Sequence, residues 1–376
     1  GRSFPSCRKR HQICGVIFSF VVYNNFIGPC SFARSNYPII RKVFIMSQRK
    51  RIVPILLIVV LFVIAVAAAF FFFRQPDYLR ASEPVSSGQP VSPAASNPYS
   101  DLSVPTCITK LQDTYFIVDC YHNQILYSDT LQAPLTEWKV MTDQINRGHT
   151  IASDGVVYLA DDTENHRVLV FEKKGECFQL TQTFPDIGTR PHYVVYDENT
   201  ELFYVLSSMT GELYVFDRLE GSSQMVLREV RSIEKLNGVY VRSFTIMDDE
   251  IYFVSGASSI IRARLSDLAI LEEYPVVPEI AGMIQLEKIQ DYYYITISTD
   301  QNGSQEYATI LRTQDLHTLA AGEYEDIYSY FVGGGTPYYL GSFDGHYYLT
   351  EHRIPGHCIW QFDVIDNQIE KLVSLY

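Results

Sequence analysis

Between residues 148 and 171 the chain reads GHTIASDGVVYLADDTENHRVLVF. Three short apolar runs, IAS, VVYLA and VLVF, are split there by Asp154-Gly155 and by a polar DDTEN loop. Aspartate-glycine between alternating apolar residues predicts a tight hairpin, because glycine accepts the positive φ that such turns require. The three runs therefore read as strands a, b and c of a small antiparallel sheet. The phrase recurs five more times in weaker form. Aligning the b strands on their paired apolar residues, and counting back to the start of strand a, gives Cys107, His149, His192, Ser243, Gln285 and Tyr339. Their spacings are 42, 43, 51, 42 and 54 residues, and 37 residues follow the last. Four-stranded repeats of ~40–50 residues predict the blades of a β-propeller. Fourth strands are expected at 136–141 (TEWKVM) and 368–376 (QIEKLVSLY), so that six blades fill 105–376.

The second blade carries the most specific wording. Its strings HTIASDG, VYLAD and NHRVLVF resemble the NHL-type repeat of six-bladed β-propellers. The first blade keeps FIVDCYHNQILYSD and the third RPHYVVYDE and LYVFD, whereas the fourth to sixth keep the strand rhythm alone. No blade has a WD or kelch signature. The resemblance implies an all-β six-bladed propeller of four-stranded blades whose ligands meet the mouth of a central channel, where the strands a begin. Both end blades have four strands of their own, which leaves the closure of the ring open.

Upstream of the repeats the pattern changes. Residues 52–73 are 22 positions without a charge, long enough to cross the ~30 Å hydrocarbon core as a helix. Arg49, Lys50 and Arg51 precede them, so the short N-terminal side is expected in the cytoplasm and the repeats outside. The run exceeds the core of a cleaved signal peptide and continues into four phenylalanines, which points to an uncleaved single-pass anchor. Residues 1–45 lack a helical or strand period and read as an upstream or unstructured segment, with the cytoplasmic stub and anchor occupying 46–74. Residues 75–104, rich in Ser, Pro, Ala and Gly, read as an extended tether.

Charge sharpens this division. Residues 1–74 hold eleven of the 30 Lys and Arg and no acidic residue, leaving 19 basic against 43 acidic residues in the remainder, a net charge of −24. Nucleic acid is excluded as the main partner, because phosphate backbones require clustered Lys and Arg. Four cysteines follow the apolar run (Cys107, Cys120, Cys177 and Cys358), and Cys107 and Cys120, on adjacent strands, are either a disulfide or buried thiols. Asn302-Gly-Ser is a glycosylation sequon if a eukaryotic secretory pathway makes the protein.

Candidate chemistry gathers at the predicted channel mouth. Arg147-Gly148-His149 in one blade is echoed by Arg190-Pro191-His192 in the next, and Arg242 stands beside Ser243 in the fourth. Arginine's planar fork suits carboxylate or phosphate. A small anionic or glycan ligand is therefore expected at Arg147, His149, Arg190, His192, Arg242, Ser243 and Tyr339. An arginine at such a position also has a structural use, tying neighbouring loop carbonyls. A metal would draw on His149 and His192, with His352 or His357 of the EHRIPGHC loop as a third ligand; zinc is the candidate there, and calcium at Asp161 and Asp162, which otherwise read as turn residues. Ser207 and Ser208 lie near the same mouth. No GxSxG, CxxC, HExxH or phosphate-loop motif occurs. The chain thus reads as a membrane-anchored extracytoplasmic binding module for a small ligand, a glycan or a surface protein. A lyase or lactonase using the mouth histidines, with or without a metal, is the alternative.

Overall fold

Strands b and c of the repeats are nearly continuous apolar runs, as expected of strands covered on both faces. A computed structural model of the protein, which describes residues 83–84 and 94–376 apart from Ala257, shows what covers them. Six antiparallel sheets follow one another along the chain, each with its four blade strands in sequence order. Strands a and d that bound the blades are Pro105–Leu111 and Lys139–Thr142, Ile151–Ser153 and Cys177–Phe184, Pro191–Asp197 and Met225–Ser232, Val241–Met247 and Ile270–Pro275, Gly282–Ile289 and Glu325–Asp326, and Thr336–Phe343 and Gln368–Ser374. The first strands of neighbouring blades pack on one another around the axis. The d strands are the outermost of the four in each blade and are less buried than strands b and c, as in Gln368–Ser374. This is the six-bladed propeller that the repeat spacing predicted.

The core is six clusters, one at each seam between blades. Between blades 2 and 3, Phe184, Phe203 and Phe216 interlock with Val205 and Met225, all nearly solvent-free. Blades 3 and 4 meet at Leu213, Val215, Phe244 and Phe253. Burying one such side chain contributes ~1.5–3 kcal/mol, and truncating a buried phenylalanine to alanine costs ~3–5 kcal/mol. The sixth cluster joins Ile108, Ile117 and Trp138 of blade 1 to Tyr348 and Ile359 of blade 6, so the ring closes by packing between two complete blades. Polar ties reinforce that seam. The Tyr376 hydroxyl lies 2.6 Å from the Leu131 carbonyl and 2.8 Å from the Ala133 carbonyl, which share its single proton, and accepts from Trp138 Nε1 (3.0 Å). On the same seam Asp344 accepts from Lys110 and from the Tyr115 hydroxyl, each at 2.7 Å.

The hairpin at Asp154-Gly155 forms as predicted. Gly155 has φ +90°, and Asp154 Oδ1 accepts from the amides of Val156 and Val157 at 2.9 Å. Other boundaries shift. TEWKVM is a short 3-10 turn, Leu135–Glu137, before the strand proper, because Trp138 turns inward and is fully buried. Blade 5 has a fourth strand of only two residues, preceded by the 3-10 helix Leu316–Ala321, which the Asp315 side chain caps. Residues 94–104, the end of the predicted tether, pack on blade 1, where the Ala95 carbonyl accepts from Val140 and Asn97 is buried against Leu135 and Trp138. Glu83–Pro84 adds a short fifth strand to blade 2. Among the described residues no helix is long and apolar enough to cross a membrane. The predicted segment 1–45 and the stub and anchor at 46–74 lie outside the described residues.

Candidate functional site

The mouth is built by one local device. Strand a of most blades enters with a β-bulge, an extra residue that re-aims its side chain and leaves the ladder locally unpaired. In blades 1, 3 and 4 the first pairs after the bulge are Cys107–Val118, Tyr193–Leu206 and Ser243–Val254. The bulged residues are therefore Thr106, His192 and Arg242. In blade 2 the Asp161 carboxylate takes the place of the missing ladder bonds, accepting from the amides of His149 (3.0 Å) and Thr150 (2.8 Å). Blade 6 inserts Tyr338 and Tyr339 between its pairs Pro337–Glu351 and Leu340–Leu349.

Two residues before His149 and the bulged His192 stand Arg147 and Arg190, both with left-handed backbone at φ 54° and 61°. Each amide is held by the preceding blade: Arg147 N donates to Asn123 Oδ1 and Arg190 N to His166 Nδ1, both at 3.0 Å. Asn123 and His166 close equivalent 3-10 turns, again with left-handed φ. Ahead of those turns, Asp119 and Asp162 brace the loops that lead to the mouth. Asp119 Oδ1 accepts from the amides of Ser103 and Val104, and Asp162 Oδ1 from the amide of Asn146 at 2.7 Å. Both aspartates of the DDTEN string are backbone acceptors, but they end the strand Tyr158–Asp162 and are fully buried, whereas the sequence reads them as turn residues; the turn itself is Thr163–Asn165.

These loops enclose a cavity of about 200 Å³ lined by Arg147, His149, Arg190, Arg242, Tyr240, Tyr338, Ser298 and His352, among others. Arg147 lies over the exposed Tyr121 ring at 5.1 Å. Arg190 and Arg242 share the Tyr240 ring at 5.7 and 5.2 Å, and Arg242 Nη1 donates to Ser298 Oγ. Arg190 meets one carboxylate, with Nη2 3.1 Å from Glu164 Oε1, while its Nε is shielded from solvent and has no hydrogen-bond partner among the described residues.

Beneath the arginines the two predicted histidines stack face to face, with ring centroids 3.7 Å apart and planes at 25°. Thr163 Oγ1 lies 2.9 Å from Asp161 Oδ2 and 2.8 Å from the Pro191 carbonyl. Its single proton goes to one of these acceptors, so His149 Nδ1, 2.9 Å away, is the donor to Thr163 Oγ1. His192 Nδ1 likewise donates to the Arg242 carbonyl at 2.9 Å, and its Nε2 accepts from the hydroxyls of Tyr240 (3.2 Å) and Tyr338 (3.3 Å). Burial, then Arg190 and Arg242, push His149 down to about 3. Burial and the neighbouring His149 hold His192 well below its usual value. His352 is lowered to about 4 by burial, then by Arg353 and Arg242. All three are neutral at pH 7, and the positive charge of the mouth belongs to its arginines.

The predicted set therefore divides. Arg147, His149, Arg190, His192 and Arg242 come together, and His352 joins them. Ser243 and Tyr339, counted into the ring by spacing, stand one residue beyond the side chains that face the mouth: Ser243 Oγ donates to the Ile284 carbonyl at 2.6 Å, and Tyr339 packs with the blade 1–2 core near Cys107. His357 stacks on Trp360 at 5.2 Å in the outer loop of blade 6. Ser207 Oγ accepts from the Thr189 amide, and the Ser208 hydroxyl is buried with no partner among the described residues. Among the described residues no three His, Cys, Asp or Glu side chains are placed to hold a metal ion. Cys107, Cys120, Cys177 and Cys358 are free thiols, and Cys120 Sγ lies 3.8 Å from His149 Nε2. Spacing missed Thr106, Tyr240 and Tyr338. Tyr240-Val241-Arg242 read in register with Arg190-Pro191-His192 is the signal that locates the second of these.

Below the cavity the channel is bridged. Gln285 of blade 5 donates from Nε2 to the Tyr193 hydroxyl of blade 3 (3.1 Å) and to the Leu340 carbonyl of blade 6 (2.8 Å), and its Oε1 accepts from the Leu340 amide (2.7 Å).

No protein-family profile matches the chain, and no curated protein matches it in sequence. Solved structures do match in shape. A candidate 6-phosphogluconolactonase from Bacteroides uniformis aligns over 72% of this chain and 83% of its own, with 12% identity and a TM-score of 0.51. A second, from Bacteroides fragilis, aligns over 72% and 84% with 11% identity and a TM-score of 0.50. A catalytically inactive variant of virginiamycin B lyase from Staphylococcus aureus aligns over 74% and 86% with 16% identity and a TM-score of 0.48. Likeness at these identities is likeness of fold, and the NHL-type wording stays confined to the second blade. In architecture the chain is a six-bladed β-propeller.

Proposed function

We propose that the channel mouth binds a small anion carrying a carboxylate or phosphate group, and that the propeller serves as a binding module. The observation that carries this reading is the convergence of Arg147, Arg190 and Arg242 on one cavity, with a guanidinium Nε of Arg190 shielded from water and unpaired. A buried donor without an acceptor costs roughly 1–3 kcal/mol, and an oxyanion there would satisfy it. The cavity's size suits a small ligand or one terminal group of a glycan. The lyase or lactonase reading has less support, because both nitrogens of His192 and Nδ1 of His149 already serve the protein's own hydrogen bonds. The test is calorimetric titration of the propeller with inorganic phosphate and with citrate. Arg190→Ala is expected to weaken binding by ~30-fold or more, since truncating one partner of a desolvated charge pair costs ~2–5 kcal/mol. Arg190→Lys recovers only part, because a point charge does not replace a fork. Unchanged affinity with a lowered melting temperature would show the arginines to be loop ties.

The reading includes an extracytoplasmic address, supported by the uncharged run at 52–73 and the basic residues before it. Protease added to intact cells should release the propeller by cutting within 75–93. Full protection until lysis would reverse the orientation.

A further inference from the structure

The mouth contains one carboxylate placed to compete with such a ligand. Glu164 sits in the 3-10 turn Thr163–Asn165, its amide donating to the Asn146 carbonyl at 3.1 Å, and so rides on the loop that leads to Arg147. From this rim it reaches Arg190 with a single contact, Oε1 to Nη2 at 3.1 Å, and both side chains are about one-third exposed (31% for Glu164 and 34% for Arg190). A carboxylate fully matched to a guanidinium takes two parallel N–H bonds. Glu164 takes one, and the adjacent Nε stays unpaired behind it. The contact is therefore incomplete, and because Nε is shielded from solvent an anion would reach it only by displacing the groups that cover it.

We propose that Glu164 is a resident competitor at the anion site, occupying the Arg190 fork when no ligand is bound and yielding it to an anion that engages both Nε and Nη2. This rests on the anion-binding reading of the mouth and adds a specificity rule to it. At the rim, the three guanidinium groups and the Glu164 carboxylate sum to two positive charges, above the Asp161 carboxylate that is buried beneath His149. A ligand that bears two negative charges on one group gains from Arg147 and Arg242 while it displaces Glu164. A singly charged carboxylate gains little over the glutamate already there. The favoured class is accordingly a dianionic oxyanion, such as a phosphate monoester.

The experiment titrates inorganic phosphate and acetate into the full chain and its Glu164→Gln and Arg147→Ala variants, with thermal unfolding of each. The glutamine side chain keeps an acceptor for Arg190 and loses the charge, and the site is a surface turn, so the fold should persist. Glu164→Gln is expected to bind phosphate at least about threefold more tightly and to narrow the preference for phosphate over acetate. If Arg147→Ala weakens phosphate binding and Glu164→Gln leaves it unchanged, the anion site stands and the competitor role is overturned. Weaker binding by Glu164→Gln would make Glu164 a positioning residue for Arg190, which also overturns it. Absence of phosphate binding by all three proteins ends both readings.

Discussion

Arg147 and Arg190 occupy backbone positions that a glycine would fill at lower cost. A left-handed residue other than glycine is strained by ~1–2 kcal/mol, whereas glycine releases that strain and returns part of it as unfolded-state entropy. Arg147, exposed and without an ion pair to a carboxylate among the described residues, separates the two roles. Arg147→Gly should leave the unfolding free energy within about 1 kcal/mol of the parent and reduce phosphate affinity by about tenfold or more. Denaturant unfolding and titration of the same variant check this, and a stability loss with unchanged affinity would contradict it. The histidines beneath give a pH signature. Their folded pKa values lie below the unfolded value near 6.5, with His149 at about 3 and His352 at about 4. Their contribution is fully present above pH 6.5 and is lost as pH falls toward those values, by at most about 1.4 kcal/mol per pH unit for each group. The melting temperature should drop between about pH 6.5 and 4, and His149→Gln should flatten part of that fall. An unaltered slope would mean that His149 is not held neutral.

At the scale of the element, the turn after strand b carries the positioning. Asp162 accepts from the amide of Asn146, from Asn165 Nδ2 at 3.0 Å and from Arg167 Nε at 2.5 Å, and it is fully buried. Asp162→Ala would leave those donors without an acceptor, costing ~1–3 kcal/mol, and would loosen the loop that presents Arg147. Stability and anion affinity should fall together in this variant, in contrast to Arg147→Gly. The turn was legible in the sequence because DDTEN combines a strand end with residues that bond their own backbone. The bulge was not. An extra residue leaves no mark in an apolar run, so counting back from strand b placed Cys107, Ser243 and Tyr339 in the ring where Thr106, Arg242 and Tyr338 stand. Arg147 and Arg190 were legible despite the slip because the Arg-x-His wording is repeated in blades 2 and 3, although of these two only blade 3 has the bulge.

For the whole molecule, the repeat period sufficed to give six blades and their order, since each blade folds from contiguous chain and meets only its neighbours. How the ring closes was not legible, because packing between two complete blades involves no strand exchange that a sequence could display. The seam now supports a prediction. Removing blade 6 from residue 335 onward would expose the facing clusters around Trp138 of blade 1 and Tyr294 of blade 5, and the shortened chain should aggregate. Tyr376→Phe, which removes only the hydroxyl shared by Leu131, Ala133 and Trp138, should lower stability by ~1–3 kcal/mol with a single unfolding transition retained. A monomeric, folded 94–334 fragment would contradict the closed ring. The bridge of Gln285 to Tyr193 and Leu340 has a further bearing on how such a molecule handles its ligand. That one side chain ties blades 3, 5 and 6 to one another across the bore. If the mouth binds an anion as proposed, the floor beneath it is common to three blades, and the ligand would be expected to enter and leave on the arginine side.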